Sequence, residues 1–370
     1  MSIQLIPYKA EHEKKVQEFN QRLRAGGEEG FIFPETSHSF EYPSGAGNPV
    51  ELSYFVAQES TDSEIHGGYI LKSYPVWKLD KEITIGNYQL PLSEGIVNPK
   101  YGMVGIQVYL SALKNQTSLY ALGMGSLDRP LPVFLKKMKW QVAGIPFYFK
   151  ILKPGKVIRY LPALRSHKKL KSFLFVLDQL KFFSICIHFF NLVNKFKIPS
   201  VEKIDHIVES NFGKWADEVW LNSRSHYKWV GKRDAQILNL FYPENSKRFI
   251  RLHIKKGSKT IGWALVLATQ MNEHRQFPNL KVGTVADTLA IPGEELAVVM
   301  ASEKFLHEQK VDLIITNQSH FIWCEAFKKL GFISGPTNFI AAFSPDMWKG
   351  LTSFSDCHVN RGDGDGPINL

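Results

Sequence analysis

The stretch Phe327-Lys328-Lys329-Leu330-Gly331-Phe332 is the best marker of the fold in this chain of 370 residues. Its two lysines followed by Leu-Gly-Phe are typical of a helix that closes at a glycine, which tolerates left-handed backbone, before an aromatic residue enters a strand. A related stretch, Leu135-Lys136-Lys137-Met138-Lys139-Trp140, lies 192 residues earlier, with Lys139 in place of the glycine. The two stretches indicate that the chain contains the same helix–strand junction twice.

Two further matches occur at nearly the same offset. Gly68-Tyr69-Ile70 aligns with Gly262-Trp263-Ala264 at a spacing of 194, and Glu94 aligns with Asp287 at a spacing of 193. Self-similarity at a fixed spacing signals duplication, and here the repeating unit is the size of a domain. The sequence therefore predicts two copies of one domain.

Hydrophobic periodicity predicts a similar order of elements in both halves. In the N-terminal half we expect a helix over 11–23, strands over 51–58, 67–74 and 83–97, a helix over 105–113, a strand over 118–123, a helix over 133–138 and a strand over 141–151. In the C-terminal half we expect helices over 201–211 and 215–225, strands over 249–255, 260–269 and 282–291, a helix over 294–309, a strand over 311–316, a helix over 321–330 and a strand over 339–344.

This element order, with its Lys-Lys-Leu-Gly-Phe ending, resembles the GNAT superfamily of acyl-CoA-dependent N-acyltransferases across most of both halves. The resemblance implies an α/β (α+β) fold of two tandem GNAT-like domains, each a mixed, mostly antiparallel sheet flanked by helices. We place the domains at 1–152 and 201–350, with a connector over 153–200 and a Gly/Asp-rich tail over 351–370.

In that superfamily the central strand splays from its neighbour, acyl-CoA enters the gap, and the pyrophosphate rests on the start of the next helix, after a Q/R-x-x-G-x-G/A loop. Here the N-terminal candidate runs from Pro99 to Gln107. Gly105 matches, Gly102 stands at the basic or amide position, and Gln107 replaces the last small residue. Glycines let backbone N–H groups approach phosphate, and the helix dipole favours the anion. The resemblance thus implies cofactor contacts at Lys100, Gly102, Met103, Val104, Gly105 and Ile106; the alternative is an ordinary turn needing two glycines.

The matching loop of the C-terminal half is less suited to phosphate. It has a single glycine, Gly293, followed by Glu294 and Glu295. Acids at a helix start stabilise the helix but repel a pyrophosphate. We therefore expect at most one working acyl-CoA site, in the N-terminal copy.

Four residues are candidates for the chemistry, because acyl transfer needs a neutral amine and a stabilised oxyanion. Glu94, in an apolar stretch of the central strand, is the candidate general base; the alternative is a structural carboxylate bonded to backbone or to a basic residue. Asp287, its C-terminal counterpart, is a lone acid among apolar residues and needs a partner. Tyr120 is a candidate general acid. His320 is a further candidate base, although a solvated His320 beside a helix capped by Ser319 is the simpler expectation.

The positive charge is concentrated in the connector. The chain has 45 basic and 35 acidic residues, and residues 151–200 hold ten of the basic residues and one acid. Residues 173–194 are apolar and aromatic, but Asp178 and Lys181 interrupt a run otherwise long enough to span a membrane. We expect a buried inter-domain helix, with peripheral contact to an anionic membrane as the alternative. The dispersed Cys186, Cys324 and Cys357 and the start without an apolar leader favour a cytoplasmic protein and give no metal motif.

The tail, His358 to Pro367, mixes three glycines with alternating charges and is too short for an EF-hand loop. Its composition favours a flexible terminus. The alternative is an ordered loop that folds back over a site and brings Arg361, with Asp363 or Asp365, to a substrate.

The leading interpretation is an N-acyltransferase that moves an acyl group from acetyl-CoA or another acyl-CoA to a small amine, such as an amino sugar of a surface polysaccharide. One alternative is a Fem-type transferase, which uses aminoacyl-tRNA; the basic connector suits contact with phosphate. The other is a catalytically inactive GNAT-like scaffold.

Overall fold

The computed structural model describes residues 2–28, 30–37, 48–61, 63–160, 203–274, 276–337 and 339–364. Most of the predicted connector, including the apolar stretch over 173–194, and the last part of the tail lie outside the described residues.

The strands are short at the sheet edges and long at the centre of each half. Their bounds are β1 Ile3–Pro7, β2 Glu51–Glu59, β3 Ile65–Lys78, β4 Lys81–Ser93, β5 Leu119–Leu122, β6 Gln141–Gly144, β7 Phe147–Ile151, β8 Ile204–Glu209, β9 Trp229–Gly231, β10 Ile250–Lys256, β11 Lys259–Met271, β12 Leu280–Ala290, β13 Leu313–Asn317, β14 Ile333–Gly335, β15 Ile340–Phe343 and β16 Cys357–His358.

Six of the seven predicted helices are present. Their bounds are α1 Glu13–Ala25, α2 Val104–Asn115, α3 Pro130–Lys137, α4 Pro154–Tyr160, α5 Lys214–Ser223, α6 Ala235–Phe241, α7 Glu295–Glu308, α8 Phe321–Lys329 and α9 Pro345–Trp348. Single turns of 3₁₀ helix at Glu94–Ile96, Pro99–Tyr101 and Arg361–Asp363 bear on the sites described below.

The chain divides into two compact units. The N-terminal unit comprises Met1–Val76, Glu82–Ala143 and Ala341–Gly350, and the C-terminal unit comprises Trp77–Lys81, Gly144–Ile340 and Leu351–Leu370. The sheet of the first has the strand order β1-β2-β3-β4-β5-β15-β6, and the sheet of the second has the order β14-β7-β13-β12-β11-β10-β8. Each is a mixed, mostly antiparallel sheet, as the sequence predicts.

Two strands belong to a different unit from the one their sequence position suggests. The predicted strand over 141–151 is broken at Ile145 and Pro146 into β6 and β7, and β7 pairs antiparallel with β13 of the C-terminal unit. β15, near the end of the chain, pairs antiparallel with β5 of the N-terminal unit. In contrast to the predicted division, residues 144–152 and the tail residues 351–364 lie in the C-terminal unit, and residues 341–350 lie in the N-terminal unit. The sheet that such a strand joins depends on hydrogen-bond partners far along the chain, which the local sequence does not reveal.

One helix prediction is wrong. The helix expected over 201–211 is the strand β8, which pairs antiparallel with β10 at the edge of the sheet. Its sequence, Ile-Asp-His-Ile-Val-Glu, is rich in β-branched residues, which suit a half-buried strand.

In the other elements, the apolar residues that the sequence pattern places on one face are buried in the core. On α1, the side chains of Val16, Phe19 and Leu23 are fully buried against the sheet of the N-terminal unit. In the C-terminal unit, Trp263, Trp323 and many aliphatic side chains form one large core. The apolar face of each helix is thus what holds it to its sheet.

The duplication is visible in one recurring contact. A β-carbon on Gly67 of β3 would lie 2.6 Å from the carbonyl oxygen of Leu92, and one on Gly262 of β11 would lie 2.6 Å from that of Leu289. The same positions would also meet a valine of the following helix, Val104 or Val298. Only glycine allows the helix and central strand to pack this closely.

These equivalent contacts correct the sequence alignment. With Leu92 equivalent to Leu289, the residue equivalent to Asp287 is Leu90, and Glu94 lies beyond the end of its strand. Leu90 has a φ of +46°, which shows that β4 is locally irregular there. Asp287 is therefore not the counterpart of Glu94.

Candidate functional site

The central strands of the N-terminal unit separate halfway along. β4 and β5 are parallel and pair only at Gly86 with Leu119 and at Asn87 with Tyr120. Beyond Asn87, β4 continues to Ser93 without pairing to β5. Parallel strands that part in this way leave a wedge whose walls carry backbone polar groups.

The helix that follows the wedge starts after an unused amide at Met103. Gly102 N donates to the carbonyl of Pro99 and Ile106 N to that of Met103, but the amide nitrogen of Met103 has no hydrogen-bond partner among the described residues. No acid lies in the first turn of α2, and no side chain caps it. The start of this helix therefore offers a backbone N–H group and the positive end of a dipole to an anion.

Of the six residues predicted to contact the cofactor, Met103 has an available amide among the described residues. Lys100 donates its backbone N–H to Asn98 Oδ1 (3.1 Å), while its Nζ atom lies 3.3 Å from the Tyr101 hydroxyl and 5.1 Å from the centre of that ring. The side chain of Met103 is 64 % exposed, so the helix start faces solvent.

Glu94 anchors the loop that leads to this helix. Its carboxylate is buried, and Oε2 accepts a hydrogen bond from Arg22 Nε at 3.0 Å. The same oxygen lies 2.8 Å from His66 Nδ1. Arg22 also donates to the carbonyl of Ile65 (2.6 Å), which ties α1 to the start of β3. Glu94 is thus bonded to a basic residue, as expected if it is a structural carboxylate and not a general base.

His66 lies between two carboxylates. Its Nε2 atom is 3.3 Å from Glu59 Oε2, a separation that suits an ion pair although the angle does not make a hydrogen bond. Its ring stacks on Tyr101 with 3.9 Å between centroids, and it is fully buried. Because Tyr101 lies two residues before Met103, this cluster fixes the position of the loop that leads into α2.

Tyr120 lies elsewhere in the unit. It is fully buried, its hydroxyl is 2.7 Å from that of Tyr74, and its ring packs edge-on against Phe343. The structure does not bring it into the cluster of Glu94, His66 and Arg22.

The C-terminal unit has an equivalent separation, but its own tail fills it. β12 and β13 pair from Val282 to Val285 and then part. Past this point the His358 ring nitrogen Nε2 lies 2.7 Å from the Thr288 carbonyl on β12, while Asn360 forms a bridge to Gln318 after β13. The tail is therefore ordered to Gly364, which corrects the expectation of a flexible terminus for that part.

A buried charge network locks this tail in place. Arg233 Nε donates to Asp287 Oδ1 (2.8 Å) and Arg233 Nη2 donates to Asp363 Oδ2 (2.9 Å). Asn360 Nδ2 donates to Asp287 Oδ1 (2.8 Å), and the Tyr242 hydroxyl donates to Asp287 Oδ2 (2.9 Å). Burial by itself lowers the pKa of Arg233, but the two carboxylates outweigh it and raise that pKa. Both oxygens of Asp287 are occupied, so its surroundings are those of a structural ion pair.

Acidic side chains occupy the helix start of the C-terminal unit, as the sequence predicts. The Glu295 carboxylate accepts a hydrogen bond from the Gly293 amide (3.0 Å), and the Glu294 carboxylate pairs with Lys256. Burial raises the pKa of Glu295 above its ordinary value. A pyrophosphate would have to displace these carboxylates.

His320 and Ser319 differ from their simplest expectations. His320 is buried rather than solvated, and burial lowers its pKa to about 4. It is also the residue at the N-cap position of α8, where its side chain makes no capping bond. The Ser319 hydroxyl instead donates to the carbonyl of Cys357 and accepts from the amide of Val359 (2.7 Å). Ser319 therefore holds the tail, and His320 packs edge-on against Tyr227.

Sequence reasoning missed the basic members of both clusters. Arg22 and His66 lie 72 and 28 residues from Glu94, and Arg233 lies 54 residues from Asp287. A buried acid implies a partner, but pairing across such distances leaves no local spacing to read.

Solved structures of other proteins share this fold. No protein-family model matches the sequence, and no curated protein matches it significantly. A conserved protein of unknown function from Enterococcus faecalis V583, described as a probable N-acyltransferase, is 10 % identical with a TM-score of 0.52, over 92 % of this chain and 72 % of that one. Saccharomyces cerevisiae N-myristoyltransferase with bound myristoyl-CoA is 8 % identical with a TM-score of 0.51, over 92 % and 78 %.

A region of a fungal multi-domain GH3 β-N-acetylglucosaminidase, described as a GCN5-related glucosamine N-acetyltransferase, is 11 % identical with a TM-score of 0.53; the match covers 92 % of this chain and 38 % of that one. Together with the two splayed sheets, these likenesses show the fold: this chain is built on the GNAT acyltransferase fold in two tandem copies. Within the described residues, no helix is both long and apolar enough to cross a bilayer.

Proposed function

We propose that this protein is an N-acyltransferase whose N-terminal unit binds acyl-CoA, with the pyrophosphate at the start of α2, beside Met103, Val104 and Gly105. The observation that carries the proposal is a helix start that has no acid in its first turn, no side-chain cap and, among the described residues, an unpartnered amide at Met103, and that follows the strand that leaves its neighbour. Such a helix start binds phosphate through its N–H groups and its dipole.

The contrast with the C-terminal unit supports this choice of copy. There a carboxylate takes the loop amide, and residues 357–363 fill the separation of β12 and β13. A ligand would have to break the buried Arg233 pairs to enter, at a cost of about 3–5 kcal/mol. The N-terminal unit needs no such rearrangement.

The proposed reaction is attack of an amine nitrogen on the thioester carbonyl, which forms a tetrahedral oxyanion and then expels the CoA thiolate. The amine loses a proton, which a general base accepts. The burial of Glu94 and its bonds to Arg22 and His66 favour a role in positioning the loop over the role of general base that the sequence suggests. We propose a small amine or amino sugar as acceptor; the relative described as a glucosamine N-acetyltransferase supports the second.

The experiment is a calorimetric titration of the full chain with acetyl-CoA and with myristoyl-CoA, because the acyl length is open. Met103→Glu places a carboxylate at the start of α2 from an exposed position, and an acid there stabilises a helix. We expect it to weaken binding at least about tenfold while leaving the melting temperature equal or higher. Met103→Gln, which has the same size and no charge, should bind like the natural protein.

Equal affinity of Met103→Glu and the natural protein would remove the phosphate site from this helix. Absence of binding of either acyl-CoA, together with salt-sensitive binding of charged tRNA, would replace the proposal with the Fem-type alternative. If neither acyl-CoA nor charged tRNA binds, the result would favour the catalytically inactive scaffold.

A further inference from the structure

The tail that fills the C-terminal unit carries a cation, Arg361, that has no counterion among the described residues. Arg361 follows the bridge between Asn360 and Gln318, and neither an ion pair nor a hydrogen bond joins its guanidinium to any described residue. Its Nε atom is fully shielded from solvent, while the side chain as a whole remains partly exposed. Its guanidinium lies 5.9 Å from the centre of the Phe339 ring.

This isolation is unusual in its setting. The neighbouring Asp363 is committed to Arg233 at 2.9 Å and to the amide of Asn360 at 2.9 Å. Burial lowers the pKa of Arg361 to about 10, and no carboxylate of the described residues opposes this shift. A partly buried guanidinium with unused donors is an energetic cost unless an anion from outside completes it.

An unused acceptor stands on the adjacent strand. Because Gln318 and Asn360 are antiparallel partners, Asn317 takes the position opposite Arg361. The Asn317 Nδ2 atom donates to the carbonyl of Ile145 (3.2 Å), but its Oδ1 atom is buried without a partner among the described residues. The Thr337 hydroxyl oxygen accepts hydrogen bonds from Asn317 Nδ2 (3.4 Å) and from the amide of Phe339 (3.1 Å).

We infer that Arg361 and Asn317 form a binding site for a carboxylate that carries a neighbouring hydrogen-bond donor. The carboxylate pairs with the guanidinium fork, and an adjacent N–H or O–H donates to Asn317 Oδ1. An amino acid and a sugar acid both have this chemistry. The idea that this ligand is also the acyl acceptor rests on the proposed function. The binding of a carboxylate to Arg361 and Asn317 does not depend on it.

The test is a titration of the full chain with L-alanine and with D-glucuronate, followed by NMR or calorimetry. The neutral counterparts are L-alaninamide and D-glucose, and inorganic phosphate tests for a general anion site. We expect one carboxylate to bind, its neutral counterpart not to bind, and Arg361→Gln to weaken binding about tenfold to a hundredfold, as expected for a hydrogen-bonded charge.

Arg224→Gln is the matched control, because Arg224 is another partly exposed arginine over an aromatic ring, with 4.1 Å from its guanidinium carbon to the centre of Trp77. It should bind like the natural protein. Should Arg361→Gln fail to fold by circular dichroism, Arg361→Lys decides, since it keeps the charge and loses the fork. It should also bind several-fold more weakly.

Three results overturn the inference: no carboxylate binding up to the solubility limit, equal binding of the neutral counterparts, or unchanged affinity in the Arg361 variants. Tighter binding of phosphate than of both carboxylates overturns the assigned ligand class. The Met103→Glu variant separates this result from the proposed function, because it should lose acyl-CoA and keep the carboxylate.

Discussion

The Nε atom of Arg233 donates a 2.8 Å hydrogen bond to Oδ1 of Asp287, and both side chains are almost completely removed from solvent. The same guanidinium holds Asp363 of the tail, so one buried cation joins a central strand to the end of the described chain. Stability of the C-terminal unit should therefore depend on this residue far more than on any surface pair.

Arg233→Met should lower the free energy of unfolding by about 3–5 kcal/mol, because it leaves two carboxylates buried without their cation. Urea denaturation followed by circular dichroism measures the loss. Lys349→Met is the control: Lys349 pairs with Asp346 at 2.8 Å but is 77 % exposed, and breaking such a pair costs at most about 1 kcal/mol. Similar losses in both variants would contradict a structural role for the buried network.

Truncation after Cys357 should lower the melting temperature by about 10 °C. It removes the buried His358, Val359 and Asn360 together with the partner of Arg233, and a loss of about 3–5 kcal/mol shifts the melting point of a domain this size by roughly that amount. Truncation after Gly364 removes no described residue and serves as the comparison. An unchanged melting temperature after the longer deletion would show that the tail does not support the unit.

Glu94→Gln should raise the KM for acyl-CoA several-fold and change kcat little. The substitution weakens the bonds to Arg22 and His66 that hold the loop before α2, so it should act on binding. Initial rates across a range of pH are the measurement, and the pH profile should keep its shape. A general base would instead lose about 10²- to 10⁴-fold in kcat with an altered acid limb.

Glu64→Gln is the control for that experiment. Glu64 lies 3.9 Å from the same histidine but is half exposed, so its contribution should be small. Equal effects of the two substitutions would show that the buried carboxylate has no special part in positioning the loop.

Stability should fall as the pH drops from about 6.5 to 4. Burial lowers the pKa of His320 to about 4 and that of His358 well below its ordinary value. Above pH 6.5 both are neutral in either state and contribute nothing; below it the unfolded chain gains protons that the folded chain does not. The shift at His320 alone corresponds to about 3 kcal/mol near pH 4.

Urea denaturation at several pH values measures this slope. His320 is surrounded by the Asp356 carboxylate, which raises its pKa, and by His226, which lowers it. His320→Gln should flatten the pH dependence between 6.5 and 4 whatever its effect at neutral pH. A slope as steep as that of the natural protein would mean that His320 is protonated in the folded state.

Much of the fold could be predicted because its signals are local. The apolar spacing of Val16, Phe19 and Leu23 marks α1, and the Lys-Lys-Leu-Gly-Phe ending marks the close of α8, where Gly331 has a φ of +79°. The acid-free start of α2 was also accessible, since Gly102 and Gly105 stand there without an acidic neighbour. Periodicity, capping and turn chemistry are properties of neighbouring residues, and the sequence contains them directly.

The sequence by itself therefore determined the duplication, the GNAT-like element order and the difference between the two helix starts. Only the tertiary structure decided that β7 and β15 join the sheets they do, that Asp287 pairs with Arg233, and that the tail is ordered. The physical reason is that strand pairing and buried ion pairs are chosen by partners far along the chain. Their free energy is gained only when the whole unit has assembled, so no short window of residues reveals it.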